Sequence, residues 1–178
     1  INYLSIKADG TRWILKVLDP QMLSTLSDDY ERNRRENLFW QEAVKLSKCS
    51  GNPHIVKVEM PFKEGELLCL PTEYLAGNSL ADRSEAQLLE QIALRYIQQI
   101  GAALVEVHEQ GLVHRDIRPA NIFLRIHEAT VDAVLTNFEL AVDSETELSR
   151  TRTNELTDGF SAPELYSRGR TVGPYTDI

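Results

Sequence analysis

The segment VHRDIRPANIFL, residues 113–124, holds the densest group of polar residues that could do chemistry. Asp116 and Asn121 stand five residues apart between apolar stretches, with Arg115 and Arg118 beside them. Phosphoryl transfer uses this combination: a carboxylate that orients a hydroxyl and accepts its proton, an amide oxygen for Mg²⁺, and a cation near the phosphate. The alternative is a solvated loop with a structural ion pair. Charged residues between apolar flanks generally need a partner or a function, which favours phosphoryl transfer.

A long amphipathic helix is predicted ahead of this loop. Apolar residues recur at helical spacing from Glu85 to His108, and Gly111 follows as a helix-ending residue. Three short β-forming pieces surround the polar loop and follow it: GLVH, IFLRI and AVLTN. A polar, Ser/Thr-rich loop is expected over residues 143–158.

The first part of the chain is predicted to be β-rich with one helix. YLSIKA and TRWILKVL, joined by ADG, predict a hairpin within residues 3–18. Helical spacing predicts a helix within residues 28–48, ending near Cys49. HIVKVEMPF and ELLCLPTEY predict two further strands around KEGE, with Pro71 at a strand edge or end because proline donates no ladder hydrogen bond.

Composition excludes several functional classes. The 178 residues include 42% hydrophobic residues, enough for a real core. The formal charge of −8 argues against a general binder of nucleic acid or of anionic membranes. No long apolar run or charged-then-apolar leader occurs, so neither a membrane span nor a signal peptide is expected. Cys49 and Cys69 fit a reducing compartment, which predicts a cytoplasmic location for a chain whose parent protein could still be membrane-attached.

Several segments together resemble the eukaryotic-type protein kinases. HRDIRPAN is similar to their catalytic loop H-R-D-x-K-x-x-N, and WILK resembles V-A-I-K. TEYLAGNSL resembles the hinge, NFELA stands where D-F-G-L-A belongs, and SAPE resembles A-P-E. These segments follow the family's order over essentially the whole chain. TDGFSAPE is similar to Ser/Thr-kinase sequences, and RYIQQIGAALVEVHEQGLVHRD looks most like bacterial members.

The resemblance implies an α+β, two-lobed kinase-like fold, truncated at both ends. Residues 1–75 would form a β-rich N-lobe without the glycine-rich phosphate loop, because no G-x-G-x-x-G occurs. Residues 76–178 would form part of a helical C-lobe with the catalytic and activation loops. The implied cofactors are ATP and Mg²⁺, and the implied partner is a protein substrate that carries Ser or Thr.

The resemblance also assigns catalytic roles to matching residues. Asp116 would accept or orient the substrate hydroxyl, Arg118 would lie near the γ-phosphate, and Thr157 would brace Asp116. Asn121 would hold Mg²⁺. His114 is expected to be a satisfied core histidine rather than a catalytic one.

Nucleotide-binding roles follow in the same way. Lys16, paired with Glu42, would position the α- and β-phosphates. The residues expected around adenine are the gatekeeper Thr72, Glu73 and Leu75 at the adenine edge, Ile14 above the ring and Phe123 below it. Arg115 could pair with a phosphate on Ser149, Thr151 or Thr153, although an ordinary loop explains those hydroxyls equally well.

One departure from the family pattern bears directly on activity. Asn137 replaces the metal-holding Asp, so it can offer Mg²⁺ an oxygen but no charge. Glu139 stands where a glycine would make the bend, and a Glu disfavours positive φ. Two hypotheses follow: a slow Ser/Thr protein kinase, or a pseudokinase that acts as a nucleotide-binding or partner-docking module.

Overall fold

The computed structural model describes residues 1–18, 29–83, 87–144, 159–166 and 170–178. The chain divides into two compact units, the first made of Ile1–Ser50 with Val56–Tyr74 and the second of Gly51–Ile55 with Leu75–Ile178. Among the described residues, no helix combines the length and apolar character needed to span a membrane.

The first unit carries a four-stranded antiparallel sheet in the order β1-β2-β4-β3. Its strands are β1 (Asn2–Ile6), β2 (Arg12–Val17), β3 (Phe62–Glu64) and β4 (Leu67–Glu73). The predicted hairpin of β1 and β2 is confirmed, and Gly10 in its turn has a φ of +84°, which glycine adopts without cost.

Two predictions about the segment that leads into β3 and β4 were wrong. Of HIVKVEMPF only Phe62 lies in a strand; Ile55 and Val58 make isolated bridges. Pro71 lies inside β4, opposite Leu15 of the neighbouring β2, and not at an edge or end. Its carbonyl accepts from the Glu59 amide at 3.0 Å, and the N and O of one strand residue point to the same side. The missing N–H therefore faces the irregular segment around Glu59, and the β2 ladder loses nothing.

One helix, α1 (Asp29–Lys48), packs on this sheet and confirms the predicted helix. Acidic residues occupy its first turn and lysines its last turn, which suits the helix dipole. Phe39 and Ala43 form a buried cluster with Leu68 and Leu70 of β4. The same face of α1 buries Glu42, so this packing positions a carboxylate as well as apolar side chains.

The second unit is led by α2 (Glu90–Glu109). Its buried residues are Tyr96, Ile100, Ala103 and Val107, whereas Ile97, which the helical spacing placed on the same apolar face, is 67% exposed. The helix begins five residues later than predicted, and Glu85 lies outside the described residues. Gly111 follows the helix with a φ of +71° and donates to the His108 carbonyl at 3.0 Å, as a helix-ending glycine should.

Two small antiparallel pairs complete the described part of this unit. They are β5 (Leu112–Val113) with β8 (Val142–Asp143), and β6 (Ile122–Ile126) with β7 (Val131–Leu135). The register pairs Ile122 with Leu135, so the start of β6 lies beside the end of β7. The residues before β6 and those after β7 therefore meet at one end of this hairpin.

Candidate functional site

The β6–β7 hairpin brings two predicted site segments together. Asn121 precedes β6 and Asn137 follows β7, and the Asn137 side-chain amide donates to Asn121 Oδ1 at 3.2 Å. Thr136 secures the junction, because its backbone amide and its hydroxyl both donate to the Asn121 carbonyl, at 2.9 Å and 3.0 Å. The two predicted metal residues are thus adjacent, although 16 residues separate them in sequence.

Asp116 is a buried carboxylate with defined partners. Asn121 Nδ2 donates to Asp116 Oδ2 at 2.6 Å and to the Asp116 carbonyl at 2.9 Å. Arg118 Nε lies 3.3 Å from Asp116 Oδ1. The two hydrogen bonds and the guanidinium hold the carboxylate in one orientation. The structure therefore brings together three of the four predicted catalytic residues, while Thr157 lies outside the described residues.

The backbone before Asp116 is held in an unfavourable conformation. Arg115 has a φ of +71°, which costs free energy for a residue with a Cβ. Asp177, whose side chain is fully buried, compensates: its Oδ1 accepts from the Arg115 amide at 2.7 Å. Its Oδ2 accepts from the His114 amide at 2.8 Å and lies 2.9 Å from His108 Nε2.

Asp177 is a positioning residue that the sequence analysis missed. A signal was present in GPYTDI, since a carboxylate in a short segment between apolar residues needs a strong partner when it is buried. The partner was not identifiable, because the two backbone amides lie more than 60 residues away along the chain.

His114 is the satisfied core histidine that the sequence predicts. It is fully buried; Nε2 donates to the Thr136 carbonyl at 3.1 Å, and Nδ1 accepts from the Asp116 amide at 3.2 Å. These partners need the neutral ring, since a protonated Nδ1 could no longer accept. Burial accordingly lowers the pKa of His114, partly opposed by the charge of Asp177. The ring also makes an edge contact with Phe138, with centroids 4.8 Å apart.

The turn that contains Asn137 has its positive φ at Asn137 and not at Glu139, where the family pattern has a glycine. Among the described residues, Asn137 has a φ of +64°, whereas Glu139 is not in the positive-φ region. Asn tolerates the left-handed conformation better than most residues, so the substitution fits this backbone. The Glu139 side chain is exposed, and the turn contacts the catalytic loop where Arg115 Nη1 donates to the Leu140 carbonyl at 3.3 Å.

The donor chemistry at Asn121 and Asn137 fits a weakly held magnesium ion. Both side chains offer an amide oxygen, the ligand type that Mg²⁺ accepts, and their amides are within hydrogen-bond distance. Neither carries charge, so the nucleotide's phosphates would have to supply the anionic oxygens. Among the described residues, no cluster of three or more His, Cys, Asp or Glu side chains offers a second metal site.

The first unit contains the second predicted ion pair. Lys16 Nζ donates to Glu42 Oε2 at 2.6 Å, from β2 to the buried face of α1. The Glu42 side chain is only 4% exposed, and that of Lys16 is 27% exposed. The lysine ammonium is therefore held by a buried carboxylate at one end while remaining accessible to solvent.

The other residues predicted to contact the nucleotide lie on β2, β4 and β6 or just after β4. Ile14 and Thr72 are paired across β2 and β4, and the Thr72 hydroxyl lies 3.4 Å from the Ile14 carbonyl. The Glu73 amide donates to the Lys57 carbonyl at 2.8 Å. In the second unit, Leu75 and Phe123 are half-buried, with Phe123 on β6. Ser149, Thr151 and Thr153, the predicted phosphate carriers, lie outside the described residues.

Comparison with protein families identifies this arrangement. The family model described as "Protein kinase domain" matches residues 9–178. The chain belongs to the protein kinase domain family. The predicted α+β kinase fold is thereby confirmed, and family membership implies ATP, a divalent metal and a protein substrate in general terms.

Similar curated proteins are also protein kinases. The carbon catabolite-derepressing protein kinases of Candida glabrata and Saccharomyces cerevisiae are each 29% identical over 171 residues, 95% of this chain. The ribosomal protein S6 kinase beta of Caenorhabditis elegans is 29% identical over 139 residues, 77% of this chain. The chain spans about a quarter of the length of these relatives, 26%, 25% and 25% respectively.

Proposed function

We propose that this chain is a Ser/Thr protein kinase domain that transfers phosphate from ATP to protein hydroxyls, slowly because Asn137 replaces a carboxylate. Residues 1–75 would serve as the N-lobe and residues 76–178 as part of the C-lobe. The Ser/Thr assignment is supported by TDGFSAPE, in which Thr157 would brace Asp116. The likeness of RYIQQIGAALVEVHEQGLVHRD to bacterial members favours a bacterial signalling role. Cys49 and Cys69, both buried and not joined in a disulfide, support action in a reducing compartment such as the cytoplasm.

The observation that carries the proposal is the orientation of the Asp116 carboxylate. Asn121 fixes one oxygen at 2.6 Å, while Arg118 lies 3.3 Å from the other. In the proposed step the substrate hydroxyl loses its proton to Asp116, its oxygen bonds to the γ-phosphorus, and the bond to ADP breaks. Arg118 would stabilise the negative charge on the transferred phosphoryl group.

The Lys16–Glu42 pair supports nucleotide binding. A lysine held by a buried carboxylate is a fixed cation, and its side chain, 27% exposed, could be reached by the α- and β-phosphates. Ile14 and Phe123 would contact the faces of adenine, and Thr72, Glu73 and Leu75 would line its edge.

Asn137 is the reason to expect a slow reaction. When bound, Mg²⁺ supplies Lewis-acid stabilisation of the phosphates. Asn121 and Asn137 would contribute two neutral oxygens and no compensating charge. If the missing charge forfeits about 3–4 kcal/mol of transition-state stabilisation, the rate falls by roughly 10²–10³.

The proposal is tested by phosphate transfer from labelled ATP in the full-length protein and in its Asp116→Ala variant. We expect transfer to fall by at least about 10²-fold in this variant, because the base is removed. Asp29→Ala is the matched control, since the Asp29 side chain is 90% exposed at the start of α1. Transfer that persists unchanged in Asp116→Ala would refute the catalytic assignment.

A second function, that of a pseudokinase, is favoured by one specific contact. The Asn137 amide donates to Asn121 Oδ1 at 3.2 Å, so the oxygen that Asn121 would offer to a metal ion is used in a hydrogen bond. A domain of this kind would bind nucleotide or a partner protein and signal through its conformation. It predicts no transfer above background, and transfer gained when Asn137→Asp and Glu139→Gly are combined. A folded double variant that remains inactive would count against the metal-site explanation.

A further inference from the structure

A cavity beside the catalytic loop has no assigned role. It encloses about 470 Å³ and is lined by the turn after Ser79, the start of the loop's 3₁₀ turn, and Phe160. Leu80, Pro119 and Phe160 provide apolar walls, while Arg83 and Arg118 provide two cations. We call it the Arg83 pocket, and all its lining residues belong to the second unit.

The two arginines of the Arg83 pocket have unused hydrogen-bonding capacity. Arg83 Nη1 is buried without a hydrogen-bond partner, and Arg83 Nε donates to the Leu80 carbonyl only at 3.4 Å. Arg118 Nε is buried close to Asp116 but outside hydrogen-bonding geometry. Leaving buried guanidinium donors unmatched costs free energy, and an anionic ligand would remove that cost.

Among the described residues, no carboxylate forms an ion pair with Arg83. Its sequence neighbour Asp82 is engaged elsewhere, because the Asp82 carboxylate accepts from the Ser79 hydroxyl at the start of the 3₁₀ turn. The chain as a whole carries −8, yet this cavity combines Arg83, which has no carboxylate partner among the described residues, with Arg118, whose charge is balanced by Asp116. The pocket is therefore a local site for an anion on an acidic protein.

The position of Arg118 indicates what carries this anion. Arg118 lines the pocket and also lies 3.3 Å from the Asp116 carboxylate. A polypeptide whose hydroxyl reaches Asp116 would pass this cavity with a nearby side chain. The apolar walls would contact the aliphatic part of that side chain, and the guanidinium groups would bind a carboxylate at its end.

We infer that the Arg83 pocket selects protein substrates with an acidic side chain close to the phosphorylated hydroxyl. This inference rests on the proposed function, because it deepens the substrate class of the same site. Arg83 would act as a specificity residue and would take no part in phosphoryl transfer itself.

Binding of peptides that cannot be phosphorylated tests the inference separately from catalysis. The full-length protein is titrated, by fluorescence anisotropy, with peptides in which alanine replaces the acceptor serine. Matched peptides carry Glu, Gln or Lys at each position on either side of the alanine. We expect Glu at one or two positions to tighten the Kd roughly tenfold relative to Gln, and Lys to weaken it.

Variants locate the effect in the pocket. Arg83→Gln should abolish the preference for Glu over Gln, and Arg83→Glu should favour the Lys peptide. Arg170→Gln is the matched control, since Arg170 is exposed and does not line the cavity. A phosphoserine peptide that binds more tightly than the Glu peptide, through Arg83, would support the same site and indicate previously phosphorylated substrates.

The outcomes separate this inference from the proposed function. If the wild-type protein does not distinguish Glu from Gln at any position, or if Arg83→Gln keeps the preference, the inference is overturned even when transfer occurs. If the preference depends on Arg83 but no transfer is detected, the Arg83 pocket does bind acidic side chains and the kinase proposal fails. The wild-type comparison decides the first point even if an Arg83 variant does not fold.

Discussion

Two side-chain pairs, one in each unit, differ in their charge and therefore in what they could contribute to the proposed kinase chemistry. Lys16 and Glu42 join β2 to α1 as opposite charges 2.6 Å apart. Asn121 and Asn137 join the catalytic loop to the following turn as two neutral amides 3.2 Å apart. The charged pair presents a cation to phosphate, whereas the neutral pair offers a metal ion no charge. Under the proposed function, the chain would therefore keep a means of positioning anions and would hold a cation less strongly.

Converting the neutral pair into a charged one should have the largest effect. Asn137→Asp restores a carboxylate beside Asn121, and we expect the rate of phosphate transfer to rise roughly 10²–10³-fold. The measurement is the initial rate at saturating ATP and Mg²⁺. Asn33→Asp, at an exposed position of α1, is a control for added charge away from the site. A rate that does not change would mean that the missing charge is not what limits turnover.

Converting the charged pair into a neutral one should have the opposite and smaller effect. Glu42→Gln keeps a hydrogen-bond acceptor for Lys16 but removes the buried charge that fixes the ammonium. We expect kcat/KM for ATP to fall about 10- to 100-fold. Glu36→Gln, at a half-buried site on the same helix, is the matched control. If the two substitutions lower kcat/KM equally, the Lys16–Glu42 pair is not what positions the ATP phosphates.

Asp177 should be important for stability in the second unit. Asp177→Asn replaces one acceptor oxygen by a donor that faces backbone amides, and the strained φ of Arg115 loses part of its support. We expect the free energy of unfolding to fall by about 2 kcal/mol, measured by denaturant titration. Asp143→Asn, at an exposed position, should change it little. A variant as stable as wild type would show that other contacts hold Arg115.

His114 should give a smaller, pH-dependent effect. Burial lowers its pKa below the ordinary value of 6.5, so the folded state disfavours protonation more than the unfolded state does. The stability that this provides is complete above pH 6.5 and is lost as the pH falls. We expect the free energy of unfolding to fall as the pH drops below 6.5, by at most about 1.4 kcal/mol per pH unit for a single proton. His114→Phe should flatten this dependence, whereas His127→Gln, whose side chain is 52% exposed, should leave it in place. A dependence that survives in His114→Phe must come from another group.

The local elements could be predicted from the sequence because their signals are local. The β1–β2 hairpin follows from two β-forming runs around a glycine turn, and α2 follows from its apolar period. The grouping of Asp116 with Asn121 follows from their spacing of five residues. The kinase resemblance supplied the longer-range partners, such as Glu42 for Lys16.

The missed features depend on contacts between distant residues. Pro71 was predicted at a strand edge or end because proline has no N–H to donate to a neighbouring strand. In the structure, the side of Pro71 that lacks the N–H faces the irregular segment around Glu59 and not β2. Asp177 was missed because its partners are backbone amides over 60 residues away. The left-handed φ of Asn137 was not foreseen either, because attention fell on the substituted glycine at Glu139. Neither the composition of a segment nor the spacing of its apolar residues indicates which distant residues it will contact.

The claim that Asn137 weakens metal binding is tested most directly by melting the full-length protein with ATP over a range of Mg²⁺ concentrations. A ligand stabilises the fold by RT ln(1 + [L]/Kd), so the rise in Tm reports occupancy. We predict that ATP stabilises wild type further when Mg²⁺ is added, and that Asn137→Asp reaches the same rise at a lower Mg²⁺ concentration. Stabilisation by ATP that is independent of Mg²⁺ in wild type, or the same Mg²⁺ midpoint in both proteins, would contradict the account.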